Sequence, residues 1–199
     1  MPFTFRPPVP DDAEMLLAWR TDPVVTRFMY TDITDPSEEK QRAWLTAMEG
    51  REDFRHFVIE HDGEAVGYLS FSDIDRRHKR CSTGSYMGTP QARRMLAGYL
   101  HAFIHDYAYY VLGMHKVVEY FLAGNDNVVK IQRILKLREV GLLKEHVWKD
   151  GRFHDVHVFE LLESDWRTHP RPFTLAQTLA AFGLSLNDAS PPSREEEGL

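Results

Sequence analysis

The chain has 199 residues, 43% of them hydrophobic and 27% charged, a profile that suits one globular domain with an appendage and excludes a disordered polymer. Lys and Arg number 24 against 30 Asp and Glu; the formal charge of −6 argues against a general nucleic-acid binder and leaves room for a local basic pocket. The single cysteine, Cys81, excludes an internal disulfide framework and a cysteine-cluster zinc site. No run approaches about 18 apolar residues and the opening MPFTFRPPVPDD lacks a signal-peptide core, so the expected location is the cytoplasm, with no membrane partner.

Alternation along Phe3-Thr4-Phe5-Arg6 reads as a first strand, ended by Pro7 and Pro8. Asp11-Asp12 then caps a short helix whose apolar side carries Met15, Leu16 and Trp19. A second helix is signalled by Asp35-Pro36-Ser37-Glu38, with an N-cap, a proline in the first turn and acids near the positive helix end. Strands follow at Phe54–His61 and Glu64–Ser72, joined by the hairpin pair Asp62-Gly63. A polar turn, Asp75–Lys79, leads to a strand over Arg80–Thr89 that stops at Pro90, and Cys81 within it reads as a buried, inert thiol.

Gln91–Leu112 carries the clearest helical pattern. Leu96, Leu100, Phe103, Tyr107 and Val111 recur at spacings of three and four, and Gly113 closes the run. Val117–Ala123 reads as a strand, Asp126–Leu137 as a helix, and Leu142–Lys149 with Arg152–Leu162 as a hairpin turning at Asp150-Gly151. After Trp166 the composition changes: His169-Pro170-Arg171-Pro172 resembles a linker, Thr174–Leu184 suits an amphipathic helix, and Ala189–Leu199 suits a disordered acidic tail. The expected organisation is a domain over 1–166 and an extension over 167–199. The element order is that of a mixed α/β (α+β) layer, with helices on a largely antiparallel sheet.

Three segments carry a family resemblance. Trp19-Arg20-Thr21-Asp22-Pro23, with Arg27-Phe28-Met29, is similar to the entry of sugar-nucleotide N-acetyltransferases. Asp106-Tyr107-Ala108-Tyr109 through Leu112-Gly113-Met114-His115-Lys116-Val117 is similar to a helix-to-strand passage, and Gly141–Val147, Asp150–Asp155 and Asp165-Trp166 to a closing hairpin, both common among small acetyltransferases. Together they resemble the GNAT superfamily over about residues 3–166, the front end most like the branch that acetylates a UDP-linked amino sugar in pseudaminic acid biosynthesis. The resemblance implies acetyl-CoA as cofactor and a small-molecule amine acceptor, here a nucleotide-linked amino sugar, attacked directly at the thioester. It also allows for a homodimer. A peptide or small-molecule amine acceptor, and a non-catalytic binding domain, are the alternatives.

A helix N-terminus preceded by free backbone N–H groups suits a pyrophosphate. The resemblance therefore assigns cofactor contacts to Tyr86, Met87 and Gly88 on the preceding strand and to Ala92, Arg93, Arg94, Met95, Leu96, Ala97 and Gly98 on the helix. Met95 stands where the family carries a glycine for close phosphate approach, and Arg93 and Arg94 are placed to offset that loss. Cations in a first turn oppose the helix dipole, which favours an anion nearby; the alternative is that both arginines are merely solvated. Asn125, Lys130 and Arg133 are further cofactor candidates, with a turn residue and a solvated helix face as their plain readings. Trp19, Arg20, Met29 and Tyr30 are the expected acceptor-side residues.

Acyl transfer to an amine needs a neutral nucleophile and a proton for the departing thiolate. The family's usual acid, a tyrosine, aligns with Gln132, which cannot donate a titrating proton, and the glycine that normally follows aligns with Lys136. Ser82 stands where some relatives carry a glutamate. Glu119 is the remaining carboxylate candidate, unless it is an exposed strand residue, and Tyr86 and Tyr120 could supply a phenol if they are not packing groups. Two-residue hairpin pairing would set His146 opposite Asp155 as a hydrogen-bonded pair and put His154 and His157 on opposite faces, so no metal site is expected.

Overall fold

In the computed structural model of the chain, residues 3–96 and 98–190 are described. The strands are β1 (Phe3–Arg6), β2 (Arg55–His61), β3 (Glu64–Asp75), β4 (Arg80–Met87), β5 (Lys116–Leu122), β6 (Arg138–Lys149) and β7 (Arg152–Leu162). The helices are α1 (Ala13–Thr21), α2 (Pro23–Thr26), α3 (Glu38–Met48), α4 (Pro90–Leu96), α5 (Leu100–Tyr110), α6 (Asp126–Ile134), α7 (Glu163–Arg167) and α8 (Leu175–Ala181). The strands form one seven-stranded, mostly antiparallel sheet in the order β1-β2-β3-β4-β5-β7-β6, flanked by helices. The chain divides into two compact units.

The first unit holds the N-terminal strand, Glu52–Val117 and the chain from Leu161 onward. Asp62 and Gly63 both take positive φ, which matches the right-handed twist of β2 and β3 and closes their hairpin. Gly67 on β3 is required by packing: a Cβ there would stand 2.7 Å from the Tyr86 carbonyl oxygen and 2.9 Å from the Met87 sulfur. One sheet face is aromatic and dry. Phe5 meets Phe103 at 4.8 Å, and Phe57 and Phe71 meet Tyr107 at 5.1 and 5.0 Å between ring centroids, so α5 is held along its length. Residues Ala102–Tyr110 are buried on every side of that helix.

The expected single helix over 91–112 is two helices. Gly98 takes φ +97° between α4 and α5, a conformation that ends an α-helix, while the apolar spacing from Leu96 to Leu100 continues across the break and hides it. Beyond Trp166, the sequence pattern of a linker and a helix corresponds to chain that packs into this unit. Phe182 stacks on Phe5 at 4.3 Å and meets Phe57 and Tyr107 at 5.1 and 4.5 Å. Asp106, fully buried on α5, accepts hydrogen bonds from Trp166 Nε1 at 2.8 Å, an Arg171 guanidinium nitrogen at 2.7 Å and Thr178 Oγ1 at 2.6 Å. The acidic tail expected to be disordered falls, from residue 191 onward, outside the described residues.

The second unit holds Pro8–Arg51 and Val118–Glu160. Ser37 caps α3 by accepting from the Lys40 N–H at 3.4 Å, so Pro36 precedes the helix instead of standing in its first turn, and Arg42 of α3 reaches Asp11 at 2.9 Å. Two elements differ in extent from the sequence expectation. Helix α6 stops at Ile134 rather than Leu137 because Lys136 takes φ +59°, where the Leu137 N–H returns to the Gln132 carbonyl at 3.0 Å. This is the position where related sequences are expected to carry glycine, and the left-handed backbone explains that preference. Strand β6 begins at Arg138 rather than Leu142, and it bulges twice against β7.

Those bulges overturn one expected contact. Lys149–Arg152 and Trp148–Phe153 pair as two-residue hairpin geometry requires, but Val147 faces His154 and the register then shifts before Leu143 meets Val156. His146 is therefore not opposite Asp155. The Asp155 carboxylate accepts from the Glu145 backbone N–H at 2.8 Å and from Lys144 Nζ at 2.9 Å, and these contacts hold it below the usual carboxylate range. His157 pairs with Glu139 at 3.0 Å.

Candidate active site

The structure presents the candidate residues in two sets, one per unit. In the first unit the end of β4 is fixed on β3: Tyr86 faces Tyr68 in register, Met87 faces Gly67, and the Gly88 N–H donates to the Val66 carbonyl at 2.9 Å. The Tyr86 and Tyr68 rings stack at 5.1 Å, and the Tyr68 hydroxyl lies 2.9 Å from His56 Nδ1. Burial lowers the His56 imidazole to about 4, so this ring is a neutral hydrogen-bond partner at physiological pH. The His56–Tyr68–Tyr86 chain is not legible in the sequence, because its members lie on three different strands.

Thr89 opens α4 by accepting the Ala92 N–H on its hydroxyl at 3.1 Å. Ala92 and Leu96 are buried and hold the helix, while Met95 is 37% exposed and Gly98 has open space around its α-carbon; Ala97 lies outside the described residues. Arg93 and Arg94 are exposed, and among the described residues neither has an acidic partner. The helix is so short that both also stand in its last turn, so its dipole does not favour an anion beside them. Two unpaired arginines beside a threonine-capped turn nevertheless fit a phosphate-bearing ligand.

In the second unit, Asn125 begins α6 with no hydrogen bond from its side chain to the helix. Lys130 is exposed, and Arg133 is drawn to Glu139 at 2.8 and 3.1 Å, lowering that carboxyl. Gln132 is 2% exposed, and its Oε1 is buried with no hydrogen-bond partner. Glu119 on β5 is 3% exposed, so the exposed-strand reading is overturned: the alternating pattern turns Glu119 inward and leaves Tyr120 42% exposed.

The residues expected on the acceptor side share this unit. Trp19 and Arg20 occupy the last turn of α1, and Met29 and Tyr30 lie in the segment after α2; all four are partly buried. Arg20 donates from one terminal nitrogen to both the carbonyl and the hydroxyl of Thr31 at 3.0 Å, while its Nε is buried without a partner. The Tyr30 hydroxyl is likewise buried and unpartnered, and burial, with the Tyr120 phenol nearby, raises it above the usual phenol range. A group the sequence reading missed completes the picture. Lys149, buried at the end of β6, forms an ion pair with Asp32, two residues beyond Tyr30.

Among the described residues, no group of three His, Cys, Asp or Glu side chains could hold a metal ion, and no helix is long and apolar enough to cross a membrane. Cys81 is buried in β4.

A family model described as the acetyltransferase (GNAT) domain matches residues 3–138. The chain belongs to the GNAT acetyltransferases. As an enzyme of that family it is an acetyl-CoA-dependent N-acetyltransferase. An N-acetyltransferase of Bacillus licheniformis, named p20 and described as uncharacterized, is 24% identical over 160 residues, 78% of this chain and 90% of that protein. Spermidine N-acetyltransferase from Vibrio cholerae, solved with CoA and spermine, superposes with a TM-score of 0.78 at 18% identity, covering 84% of this chain and 99% of its own. A dodecameric form of the Vibrio cholerae enzyme gives 0.73 at 18% identity over 84% and 97%. The pseudaminic acid branch expected from the front end of the sequence finds no support among these relatives.

Proposed function

We propose that this GNAT acetyltransferase acetylates a primary amine of a small, multiply charged aliphatic amine of the spermidine class. The observation that carries the reading is the buried Gln132 Oε1, an acceptor that only an N–H or O–H donor can satisfy, in the same unit as the buried carboxylate of Glu119. A buried acceptor without a partner is costly, and an incoming ammonium offers the donor that Gln132 Oε1 lacks. The segment Pro8–Arg51 of that unit carries nine carboxylates against five Lys and Arg, which attracts a polycation and repels a diphosphate. The likeness to a spermidine N-acetyltransferase supports the same class.

Acetyl-CoA, when bound, supplies an acetyl thioester open to attack by a neutral amine. Arg93, Arg94 and the Thr89-capped turn would hold its phosphates, with the end of β4 along its arm. Glu119 accepts the proton that an ammonium must lose before it can attack. Gln132 cannot act as an acid, but its amide N–H groups can donate to a departing thiolate. A thiol pKa of about 8.5 lets that thiolate take its proton from water near neutral pH. Tyr30, kept protonated by burial, offers the acceptor a neutral hydroxyl.

A second reading rests on Arg20, whose buried, unpartnered Nε suits an anionic group and so a nucleotide-linked amino sugar. Release of CoA thiol, followed with spermidine, spermine and a UDP-linked amino sugar side by side, decides between them. Turnover of the polyamines with little of the nucleotide sugar is the expected result. Turnover of the nucleotide sugar alone would replace the polyamine reading.

A further inference from the structure

We infer that Lys149 is a positioning residue: its ion pair with Asp32 latches the segment after α2 and so fixes Tyr30 for the acceptor, which rests on the acceptor-side reading above. Lys149 is the last residue of β6, and its backbone is held on both sides. Asp150 and Gly151 take φ of +51° and +74° in the tight turn that follows, Arg152 pairs across it, and His154 lies 3.1 Å from the Lys149 carbonyl. The Lys149 side chain is 5% exposed, whereas that of Asp32 is 45% exposed. A buried ammonium on a rigid hairpin therefore holds a half-exposed carboxylate on an otherwise irregular segment.

The segment is gripped at successive residues. Phe28 lies about 4.0 Å from where a Cβ on Gly124 would stand, at the start of α6. Thr31 is held by Arg20 of α1 through its carbonyl and its hydroxyl, both at 3.0 Å, and Asp32 by Lys149. Tyr30 lies between these anchors with its hydroxyl buried and unpartnered. An irregular segment has no ladder of its own to fix a side chain, so the two anchors that follow Tyr30 supply its register. Charge on Lys149 is better justified by this task than by stability, because a buried ion pair is weak evidence for a stabilising interaction.

Two measurements on the full-length chain test the latch. The first is limited trypsin digestion at Arg27, an exposed site at the entrance to the segment. Lys149→Met should speed cleavage there by about tenfold, because opening precedes cleavage, and Lys149→Arg should stay near wild type. The second is steady-state kinetics with spermidine as probe, alongside Tyr30→Phe. Lys149→Met should raise the spermidine KM about tenfold or more and leave the acetyl-CoA KM within about twofold, with Lys149→Arg restoring most of the loss. Unchanged cleavage overturns the latch whatever the kinetics show. Faster cleavage with an unchanged spermidine KM, while Tyr30→Phe raises it, shows a tether without a positioning role and also overturns the proposal. An unchanged KM in Tyr30→Phe as well removes the acceptor-side reading on which the positioning role depends. If Lys149→Met fails to fold, Asp32→Asn takes its place in both assays with the same expected outcomes.

Discussion

Replacing Asp106 tests whether the chain beyond Trp166 is part of the fold or an attachment to it. The carboxylate is fully buried and accepts from Trp166 and from two side chains of that segment, those of Arg171 and Thr178, at 2.6 to 2.8 Å. In Asp106→Ala the Arg171 guanidinium, only 23% exposed, loses its counter-charge, and the indole and hydroxyl donors lose their acceptor. Breaking a buried charged pair from one side costs about 3–5 kcal/mol, and further orphaned donors add to the upper part of that range. At about 3 °C per kcal/mol for a chain of this size, the expected loss is about 12 °C in Tm. Thermal unfolding followed by circular dichroism reads it, with Thr178→Val as a milder control that removes one donor and should cost about 1 kcal/mol. The packing of Phe182 on Phe5, Phe57 and Tyr107 predicts the same for the segment as a whole: a chain cut after Trp166 should unfold well below wild type. An Asp106→Ala protein that melts within about 2 °C of wild type would show that the buried carboxylate does not hold the segment.

Three further outcomes follow from the sites described. Arg93→Ala/Arg94→Ala should weaken acetyl-CoA binding more than acetyl-pantetheine binding by calorimetry, because only the former carries the phosphates that unpaired guanidinium groups would meet. Gln132→Tyr puts a phenol in place of the amide, able both to accept from the ammonium and to supply a titrating proton, so kcat should be neutral or rise, within the factor of about 10²–10⁴ typical of general acid–base catalysis, as read by thiol release; a loss of more than about tenfold would show that the phenol does not replace the amide. Burial lowers His101 to about 4 and His105 well below its ordinary value, so the unfolded chain binds more protons below about pH 6.5 and stability must fall as pH drops. Between pH 7 and 5, His101 alone should contribute a loss of about 2 kcal/mol, which urea midpoints for wild type and His101→Gln can separate.

Local signals carried most of the fold. Asp62-Gly63 and Asp150-Gly151 mark their hairpins because both residues of such turns need positive φ, and Asp35-Pro36-Ser37-Glu38 marks the start of α3, although the cap is Ser37 and the proline stands before it. The break between α4 and α5 was not legible, since Gly98 interrupts the backbone without interrupting the apolar period. The paired register around His146 was lost to bulges, which follow from twist and tertiary contacts rather than from hairpin length. At the site, Gln132 and Tyr30 could be named from the sequence, but their defining property, a buried polar atom without a partner, exists only in three dimensions. Lys149 could not be found at all. Beside a tight turn it reads as a solvated cross-strand partner of Arg152, and Asp32 lies 117 residues away in sequence.

Product stoichiometry shows whether the acetyl group passes from acetyl-CoA to a polyamine. The protein is incubated with acetyl-CoA and spermidine, the thiol released is counted, and the acetyl group is located by mass spectrometry. One acetylated amine should form per thiol released, with no acetyl left on the protein, because a neutral amine attacks the thioester directly. Thiol release with the acetyl group on a protein side chain, or a folded protein that binds acetyl-CoA and leaves spermidine unmodified, would contradict it.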